Sequence, residues 1–480
     1  MLSQENQQKI EKIDKLNSLI VDVTQLLLLR RRDEATEEIV SYLYNTEQGK
    51  IYTTRDDATS EMWIYREGIY VPHGKTYICE ICRKILMQAY TTNFANSVIN
   101  KIEADTYIDS KIFFNKKYKN EIATKNGILN VITGALIPHT PDKIFFKKIP
   151  ILYNPSCTCE NIHNFFKKIV SEENINTVYE MFGYCLITNY PIEKAFLLIG
   201  NGRNGKSKLT ELLKIFLGRE NCSYESLKSI EKDQWSAGEL FGKFANISGE
   251  LQTEYLRDVS IFKRLTGNDE ISASRKFLSK IYFQNSAKLI FCANELPLVF
   301  ENTSAFWERW ISLNFPNKFI PEEEYNTLSQ AEKDKGTADG GQYYIQIPDI
   351  VSSLISDSEL SGLLNNALVF LQNIQKNKSF TNSQEAEEIK IMWMRKSNSF
   401  LSFCAEKIEE DFEGKIKKSA LKKNYQNYCK KHKLKMASDI MIKRTLSEQF
   451  GAGEEYIVLD GDSRTWAWIG IKIKINFLEA

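Results

Sequence analysis

Long apolar runs are missing from this chain of 480 residues. The best candidate for a membrane span, Leu19 to Leu29, contains Asp22 and is followed by three arginines. A span needs about 20 consecutive apolar residues, so none is expected. The first residues are polar and lack the apolar core of a secretory signal. These absences predict a cytoplasmic protein.

A charge bias is also missing, since 63 lysines and arginines face 62 aspartates and glutamates. Net charge therefore excludes no class of partner, and a surface for nucleic acid must come from local clusters of basic residues. The four histidines are scattered without ligand spacing. The nine cysteines are dispersed and odd in number, which is typical of reduced thiols and not of a disulfide framework.

The pattern of apolar residues divides the chain into parts. A size of roughly 150 residues per domain predicts about three domains. Short apolar strands alternate with helical stretches between residues 195 and 315, as in an α/β domain with a parallel sheet. The predicted parts are a helical segment at 1–50, a mixed α+β domain at 51–165, an α/β domain at 166–320, a helical linker or lid at 321–395 and a last domain at 396–480.

Finer patterns predict individual elements. Apolar residues recur at three- to four-residue spacing through the first 48 residues and again over 349–411, which indicates helices. Short β-like runs with turn signals lie at Met62 to Tyr65 and at Gly68 to Val71, and a helix is expected over Ile78 to Ala89. The last seventy residues predict two helices and then two short strands.

The most specific motif is the run from Gly200 to Ser207, which matches G-x-x-x-x-G-K-S in full. A short apolar strand precedes it and a helical stretch follows it, as a phosphate-binding loop requires. Glycines let successive backbone amides face an anion, and the helix adds its positive amino end. The motif predicts ATP and Mg²⁺ as cofactors, bound by Gly200, Asn201, Gly202, Arg203, Asn204, Gly205, Lys206, Ser207 and Lys208.

Within this motif, Lys206 can reach the β- and γ-phosphates, and the Ser207 hydroxyl can ligate Mg²⁺. An acid at the end of a neighbouring strand should hold the metal and polarise the attacking water. Glu250 follows the apolar run that starts at Phe244, and is the predicted acid. Asn294 ends the next apolar run and can aim its amide at the water and the γ-phosphate; the alternative is a simple turn-forming Asn. Arg309 precedes a further strand and can act as an arginine finger or form a surface ion pair.

These blocks resemble the superfamily 3 helicases, a branch of the AAA+ ATPases. The run from Phe262 to Lys276, with its Lys, Leu-Thr-Gly and Asp in order, is most similar to the phage, plasmid and poxvirus primase-helicase branch. Asn126 to Gly134 with Pro138 to Pro141 resembles the domain before the motor in that branch, and Glu359 to Ala367 the helical segment after it. The resemblance spans residues 35–410.

The resemblance implies a role for each block. Glu250 would be the catalytic acid on the metal, Asn294 the γ-phosphate sensor, and Arg309 a finger acting on a neighbouring subunit, with Lys263 as a second trans-acting residue. Ile271 to Phe283 would form a hairpin in the channel of a ring. Its DNA contacts would be Arg275, Lys276, Phe277 and Lys280. Members of the superfamily often carry two adjacent acids, whereas Glu250 follows Gly249, so Glu254 remains the alternative acid.

Basic residues are concentrated near the carboxyl end. Between residues 415 and 444 there are eleven lysines and arginines and one acid, Asp439, a local net charge of +10. Tyr425 and Tyr428 are interleaved with them, as in surfaces that bind nucleic acid. With the predicted helices and strands, this pattern predicts a winged-helix-like domain on duplex DNA. The expected contacts are Lys422, Lys423, Lys430 and Lys431.

Taken together, the motifs predict an ATP-dependent hexameric DNA helicase in the replication of a virus, plasmid or other mobile element. A 3′-to-5′ direction is implied by the resemblance alone. Two alternatives stay open: a DNA-stimulated ATPase that melts or remodels an origin without processive unwinding, and a DNA-binding scaffold whose ATP site controls oligomerisation. The first 190 residues show no carboxylate cluster for primer synthesis, so a primase or polymerase is expected on another chain.

Overall fold

The computed structural model describes residues 4–46, 50–55, 60–115, 118, 120–233, 235–249, 251, 259–275, 278–297, 299, 303–337, 339–432, 434, 436–458 and 464–474. Within these ranges, the side chains of 4–12, 115, 275 and 278–280 are not described. No helix in the described part of the chain is long and apolar enough to cross a membrane.

The N-terminal region is a helical layer packed on a small antiparallel sheet. Its elements are α1 Gln4–Leu28, α2 Arg32–Thr46, β1 Ile51–Arg55, β2 Ser60–Arg66, β3 Ile69–Val71, α3 Gly74–Leu86, α4 Thr92–Asp105 and α5 Ser110–Asn115. The strands form a meander in the order β1-β2-β3. Val23, Ile39, Ile78 and Val98 are fully buried where the helices meet. The helices predicted for the first 48 residues and for 78–89 are confirmed, as are both predicted strands.

A second small sheet and two helices connect this region to the centre. These elements are β4 Glu121–Thr124, β5 Gly127–Asn130, β6 Leu136–Ile137, α6 Glu160–Ile169 and α7 Ile175–Cys185. Every residue of α7 except Asn176 is buried. An α-helix that is apolar on all sides must be covered on all sides, so α7 lies inside the core.

A five-stranded parallel sheet forms the centre. Its region contains β7 Ala195–Ile199, α8 Lys206–Leu217, β8 Cys222–Ser223, α9 Leu227–Lys232, β9 Ala245–Ser248, α10 Ser260–Thr266, β10 Glu270–Arg275, β11 Leu278–Gln284, β12 Lys288–Ala293, α11 Ser304–Trp307 and β13 Trp310–Asn314. The strand order is β13-β7-β12-β9-β8, and all pairs are parallel. All residues of β7, β9 and β12 are buried, because helices cover both faces of such a sheet. The predicted parallel sheet is confirmed.

Helices after the sheet pack back onto it. This part contains β14 Lys318–Ile320, α12 Glu322–Thr327, α13 Gln330–Lys335, β15 Tyr343–Ile345, α14 Asp357–Asn377, α15 Ala386–Ser397 and α16 Ser399–Lys407. α14 crosses α7 so closely that a Cβ on Gly183 would lie 2.3 Å from the Ala367 carbonyl oxygen. The buried Glu359 carboxylate accepts hydrogen bonds from the Asn161 and Ile162 amides at the start of α6. An acid at this end of a helix is favoured by the helix dipole.

The C-terminal region is a three-stranded antiparallel sheet with two helices. Its elements are β16 Ile408–Lys417, α17 Lys418–His432, α18 Asp439–Phe450, β17 Gly453–Ile457 and β18 Thr465–Ile473, in the sheet order β16-β18-β17. Both predicted helices and both predicted strands are confirmed. The prediction of helix up to residue 411 was wrong, because β16 begins at Ile408. Its acids and Gly414 interrupt the apolar alternation, and its register shifts between Glu410 and Lys415, so the sequence carries little strand signal there.

Candidate nucleotide site

Residues 200–205 form the turn between β7 and α8. Gly202, Arg203 and Gly205 have φ of 76°, 49° and 91°. Left-handed residues in succession curl the backbone so that its amides can face an anion, and the amino end of the 12-residue α8 lies directly behind. A Cβ on Gly205 would lie 2.5 Å from Cγ2 of Ile169. Only glycine therefore fits where the loop meets α6.

Lys206 is the buried centre of the loop, with 7% of its surface exposed. Its Nζ donates to the Gly200 carbonyl, to Oδ1 of Asn204 at 3.2 Å and to Oδ1 of Asn294 at 3.0 Å. Burial disfavours the charged amine and lowers the pKa of Lys206 to about 8. The structure therefore brings Asn294 from the end of β12 onto the lysine of the loop.

The predicted acids lie outside the described residues. Glu250 and Glu254 are among residues 250 and 252–258, which the structure does not describe. β9, which precedes these acids in the sequence, ends at Ser248 and is paired with β12, which precedes Asn294. Ser207 is exposed in the first turn of α8. The assigned metal-binding roles of Ser207 and Glu250 stay predictions.

A cavity of ≈ 1010 Å³ opens above the loop. Phe165 and Ile169 of α6 form one wall. The opposite wall comes from residues 319–354, a part of the chain for which the sequence predicted no site residue. Its lining residues include Phe319, Tyr325, Tyr343, Tyr344, Ile350 and Leu354. The rings of Phe319 and Tyr344 are stacked at 5.6 Å. The cavity therefore combines the glycine-rich loop with an aromatic wall, and polar groups beside aromatic ones are the usual composition of a ligand pocket.

Acidic side chains hold the outer residues of the loop. Asn201 Nδ2 donates to Oδ2 of Asp339 at 2.6 Å. Arg203 forms an ion pair with Glu324 at 2.8 Å, and its carbonyl accepts from the Phe319 amide at 2.6 Å. Lys208, by contrast, pairs with Glu211 on its own helix at 3.1 Å. The segment after β13 therefore contacts the loop through hydrogen bonds and an ion pair at Asn201 and Arg203.

Arg309 lies at the opposite end of the sheet from the loop. Trp310 pairs with Ala195 and Asn314 with Ile199, so the length of β7, about 17 Å for five residues, separates Arg309 from Gly200. Its Nη2 pairs with Glu193 at 2.6 Å, its Nε donates to Oγ1 of Thr266 at 3.0 Å, and only 15% of its side chain is exposed. Arg309 is therefore out of reach of the loop in its own chain.

Lys263 lies on α10, the helix that Arg309 contacts. Thr266, the partner of Arg309, is one turn further along the same helix. A Cβ on the neighbouring Gly267 would lie 3.8 Å from Arg309 Nη2. The two residues to which the resemblance gives trans-acting roles are therefore placed in one part of the surface.

β10 and β11 form the predicted hairpin. The strands are antiparallel, with Ile271 opposite Phe283. Lys276 and Phe277, which lie between the two strands in the sequence, are outside the described residues, as are the side chains of Arg275 and Lys280. At its base, Phe283 packs against Phe241 at 5.3 Å between ring centroids. Phe241 in turn packs edge-on against Phe114 of α5 at 5.3 Å, which joins the hairpin to the N-terminal region.

The basic segment forms α17 and the start of α18. Lys422, Lys423, Lys430 and Lys431 are exposed on α17, and Lys422 pairs with Asp439 at 3.0 Å. The interpretation of Tyr425 and Tyr428 as surface aromatics was wrong, because both are buried in the core of this region. They follow Leu421 at helical spacing, and that spacing puts all three on the inner face of α17.

Two family models match parts of the chain. The family described as "D5 N terminal like" matches residues 33–171. The family described as "Family of unknown function (DUF5906)" matches residues 198–309, a range that includes the phosphate-binding loop, Asn294 and Arg309. The first match runs from α2 to the end of α6, and the second contains β8, β9 and β12 of the central sheet and ends before β13.

Three viral proteins are similar to about half of the chain. "Putative helicase L207/L206" of Acanthamoeba polyphaga mimivirus is 28% identical over 255 residues, which are 50% of this chain and 26% of that protein. "Putative helicase 121R" of Invertebrate iridescent virus 3 is 23% identical over 285 residues, 53% of this chain and 30% of that protein. "Putative helicase 184R" of Invertebrate iridescent virus 6 is 23% identical over 241 residues, which are 45% of this chain and 24% of that protein.

The chain thus spans about a quarter to a third of the length of these relatives. The chain is thus similar in part to the family described as "D5 N terminal like" and in part to three proteins named putative helicases. Among solved structures, the apo C-terminal region of NrS-1 aligns with a TM-score of 0.43 at 12% identity, over 90% of this chain and 98% of that chain. A TM-score this low carries no argument about function.

Proposed function

We propose that the chain is the ATP-driven motor of a superfamily 3 DNA helicase of the AAA+ type. One observation carries the proposal: the buried Lys206 of a complete phosphate-binding loop is hydrogen-bonded to Asn294 at the end of the adjacent parallel strand. A lysine and an amide that converge at this sheet edge fit a triphosphate, with the lysine on its charge and the amide beside its terminal group. The three viral relatives support a helicase function through their names alone.

The site fits ATP by size and charge. A cavity of ≈ 1010 Å³ with an aromatic wall has room for a purine nucleotide, and the loop supplies amides, a helix amino end and a buried amine for the phosphates. Mg²⁺ would be held by Ser207 and Glu250 and would neutralise charge between the β- and γ-phosphates. Lys206 orients the terminal phosphate, and Asn294 holds the attacking water in line.

Arg309 supports assembly into a ring. It lies a full strand length from its own loop, so it can stabilise a transition state only on a neighbouring subunit. Lys263 shares its surface. We propose a hexamer in which each subunit supplies Lys206 and Ser207 to one nucleotide and Arg309 to the next. Hydrolysis then requires assembly.

DNA would be bound at two places. The β10–β11 hairpin would follow one strand through the ring with Arg275, Lys276, Phe277 and Lys280, since cations pair with phosphates and aromatic rings stack on bases. The C-terminal region, with two helices followed by an antiparallel hairpin, supports a winged-helix-like domain on duplex DNA. The 3′-to-5′ direction rests on the resemblance alone, and a primase or polymerase would reside on another chain.

Strand displacement on a forked DNA tests the proposal. Wild type should separate the strands with ATP and Mg²⁺, whereas Lys206→Ala should not. Lys214→Ala, at the far end of the same helix, is the matched control and should behave as wild type. Hydrolysis stimulated by DNA without strand separation would favour an origin-remodelling ATPase instead. ATP-dependent assembly without hydrolysis would favour a scaffold.

A further inference from the structure

A second cavity, of ≈ 930 Å³, lies between the phosphate-binding loop and the helices after the sheet. On the motor side it is lined by Asn201 of the loop and by Asn294. On the other side it is lined by the end of α15, including Lys396, and by residues of α17 and α18. Asn294 therefore faces two cavities, and only the first of them was anticipated from the sequence motifs.

α15 is fixed against the turn that carries Asn294. Trp393 is 1% exposed, and its Nε1 donates to the Pro297 carbonyl at 2.7 Å. Its indole also packs against Trp310 at the start of β13, with ring centroids 5.3 Å apart. Residues three apart on a helix are neighbours on its surface, so Lys396 stands one turn beyond this anchor, where α15 ends beside the loop.

Among the described residues, two amines beside the loop are attracted by the same carboxylate. Asp339, which accepts a hydrogen bond from Asn201, attracts both Lys206 and Lys396. The two lysines also repel each other, since the charge of Lys396 disfavours that of Lys206. Burial lowers the pKa of Lys396, and Asp339 raises it only in part. Two amines that share one carboxylate in a partly buried place favour the arrival of a polyphosphate anion.

We infer that Lys396 binds the terminal phosphates of the nucleotide held by the loop of the same chain. When no nucleotide is bound, Asp339 is the counter-charge of Lys206 and Lys396. The inference rests on the proposed ATP site and assigns it a further phosphate-binding residue. The geometry supports action within one chain, because Trp393 ties α15 to the same turn that positions Asn294.

The position of Lys396 connects the site to the C-terminal region. α15 ends at Ser397, and Asn398 is the N-cap of α16, where its side chain accepts from the Leu401 amide at 3.0 Å. A phosphate bound by Lys396 would therefore hold the last turn of α15, directly before α16, which leads into the C-terminal region. Loss of the terminal phosphate would leave Asp339 as the counter-charge of Lys396.

Equilibrium binding of ATPγS, ADP and AMP to the full chain tests the inference. Lys396→Ala should weaken ATPγS binding by about tenfold or more, as expected for loss of a charged hydrogen bond, and leave AMP binding unchanged, since AMP lacks the terminal phosphates. Lys396→Arg should restore most of the affinity. Lys390→Ala, on the same helix and paired with Glu387, is the matched control and should equal wild type. Asp339→Asn should strengthen ATPγS binding.

Two results would overturn the inference. One is ATPγS affinity of Lys396→Ala equal to that of wild type. The other is an equal loss for ATPγS and AMP together with a lower melting temperature of the nucleotide-free variant, which would show a structural role. Lys206→Ala measured in parallel separates the two proposals: if it too binds ATPγS as wild type does, the proposed ATP site itself is wrong.

Discussion

Lys206 and Asn294, which are 88 residues apart in sequence, share a hydrogen bond of 3.0 Å between Nζ and Oδ1. All three acceptors described for this amine are neutral oxygens, from Gly200, Asn204 and Asn294. A buried cation without a carboxylate partner at hydrogen-bond distance is poorly compensated. The arriving phosphates would supply the negative charge that these oxygens lack.

Removal of the Asn294 amide should separate binding from hydrolysis. We expect Asn294→Ala to lower kcat for ATP by about a hundredfold, the usual cost of one oriented polar group in a charged transition state. The Kd for ATP should change by no more than a few fold, because Lys206 and the loop amides remain. Steady-state hydrolysis and equilibrium binding measure the two quantities. Unchanged kcat would remove Asn294 from the mechanism.

ATP affinity should fall as the pH rises above about 8. The pKa of Lys206 is lowered to about 8 by burial, with partial compensation from Cys292 and Asp339 and a further lowering by Lys396. Below that pH the amine is already charged, so affinity should be flat. Above it the free protein loses the proton while bound phosphate retains it, and affinity should fall by up to about tenfold per pH unit.

Binding titrations between pH 7 and pH 9.5 measure this dependence. Lys206→Arg is the control, since a guanidinium stays charged throughout, and Lys396→Ala removes the second amine with a lowered pKa. Affinity that stays constant in wild type through pH 9.5 would contradict the prediction.

A mixed-subunit experiment should detect the shared role of Arg309. Arg309→Ala should lower hydrolysis by about a thousandfold and leave ATP binding nearly intact, because the residue lies a strand length from its own loop. Mixing it with Lys206→Ala should restore part of the activity, since some interfaces then combine an intact Lys206 with an intact Arg309. No restoration in a mixture that assembles would argue against a site built by two subunits.

The salt dependence of duplex binding should report the lysines of α17. Lys422 and Lys423 are exposed, and each phosphate contact contributes about 0.9 to the slope of log affinity against log salt. The double variant Lys422→Ala/Lys423→Ala should therefore lose up to about 1.8 of that slope, with basal ATP hydrolysis unchanged. Lys376→Ala, exposed on α14, serves as control. An unaltered slope would place duplex DNA elsewhere.

Tyr425 should contribute to stability and not to DNA binding. Its hydroxyl is within 2.6 Å of Ser399 Oγ and accepts from the Ala437 amide at 2.7 Å, inside the core. Tyr425→Phe removes the acceptor of the Ala437 amide, so the free energy of unfolding of the variant should be about 1–3 kcal/mol lower. Chemical denaturation measures the loss. If the variant bound duplex DNA more weakly but kept the free energy of unfolding of wild type, the prediction would be wrong.

The sequence predicted the parts of the site that lie within short motifs. The loop from Gly200 to Ser207 has fixed spacing, and Asn294 and Arg309 each adjoin a short apolar strand, so their places at the sheet edges follow from the parallel order. Asp339 and Lys396 could not be predicted in this way. Each comes from a stretch without a motif, and only the packing of residues far apart in sequence brings them to the loop.

Other differences have local causes. Tyr425 and Tyr428 were wrongly interpreted as surface residues because lysines surround them in the sequence. Their helical spacing from Leu421 already indicated the inner face of a helix. β16 was missed because its middle is acidic and irregular. In both cases tertiary packing decided the structure where the local pattern was mixed.

Phe241 contacts an N-terminal ring on one side and a hairpin ring on the other. Tension on the hairpin from a taut polymer would therefore pass into α5 as well as into the central sheet. The N-terminal region and the hairpin are therefore joined through packed aromatic rings, and we expect a displacement of the hairpin to reach α5. In the motor proposed above, a stall force would therefore depend on the stiffness of this aromatic junction as well as on the chemistry at Lys206.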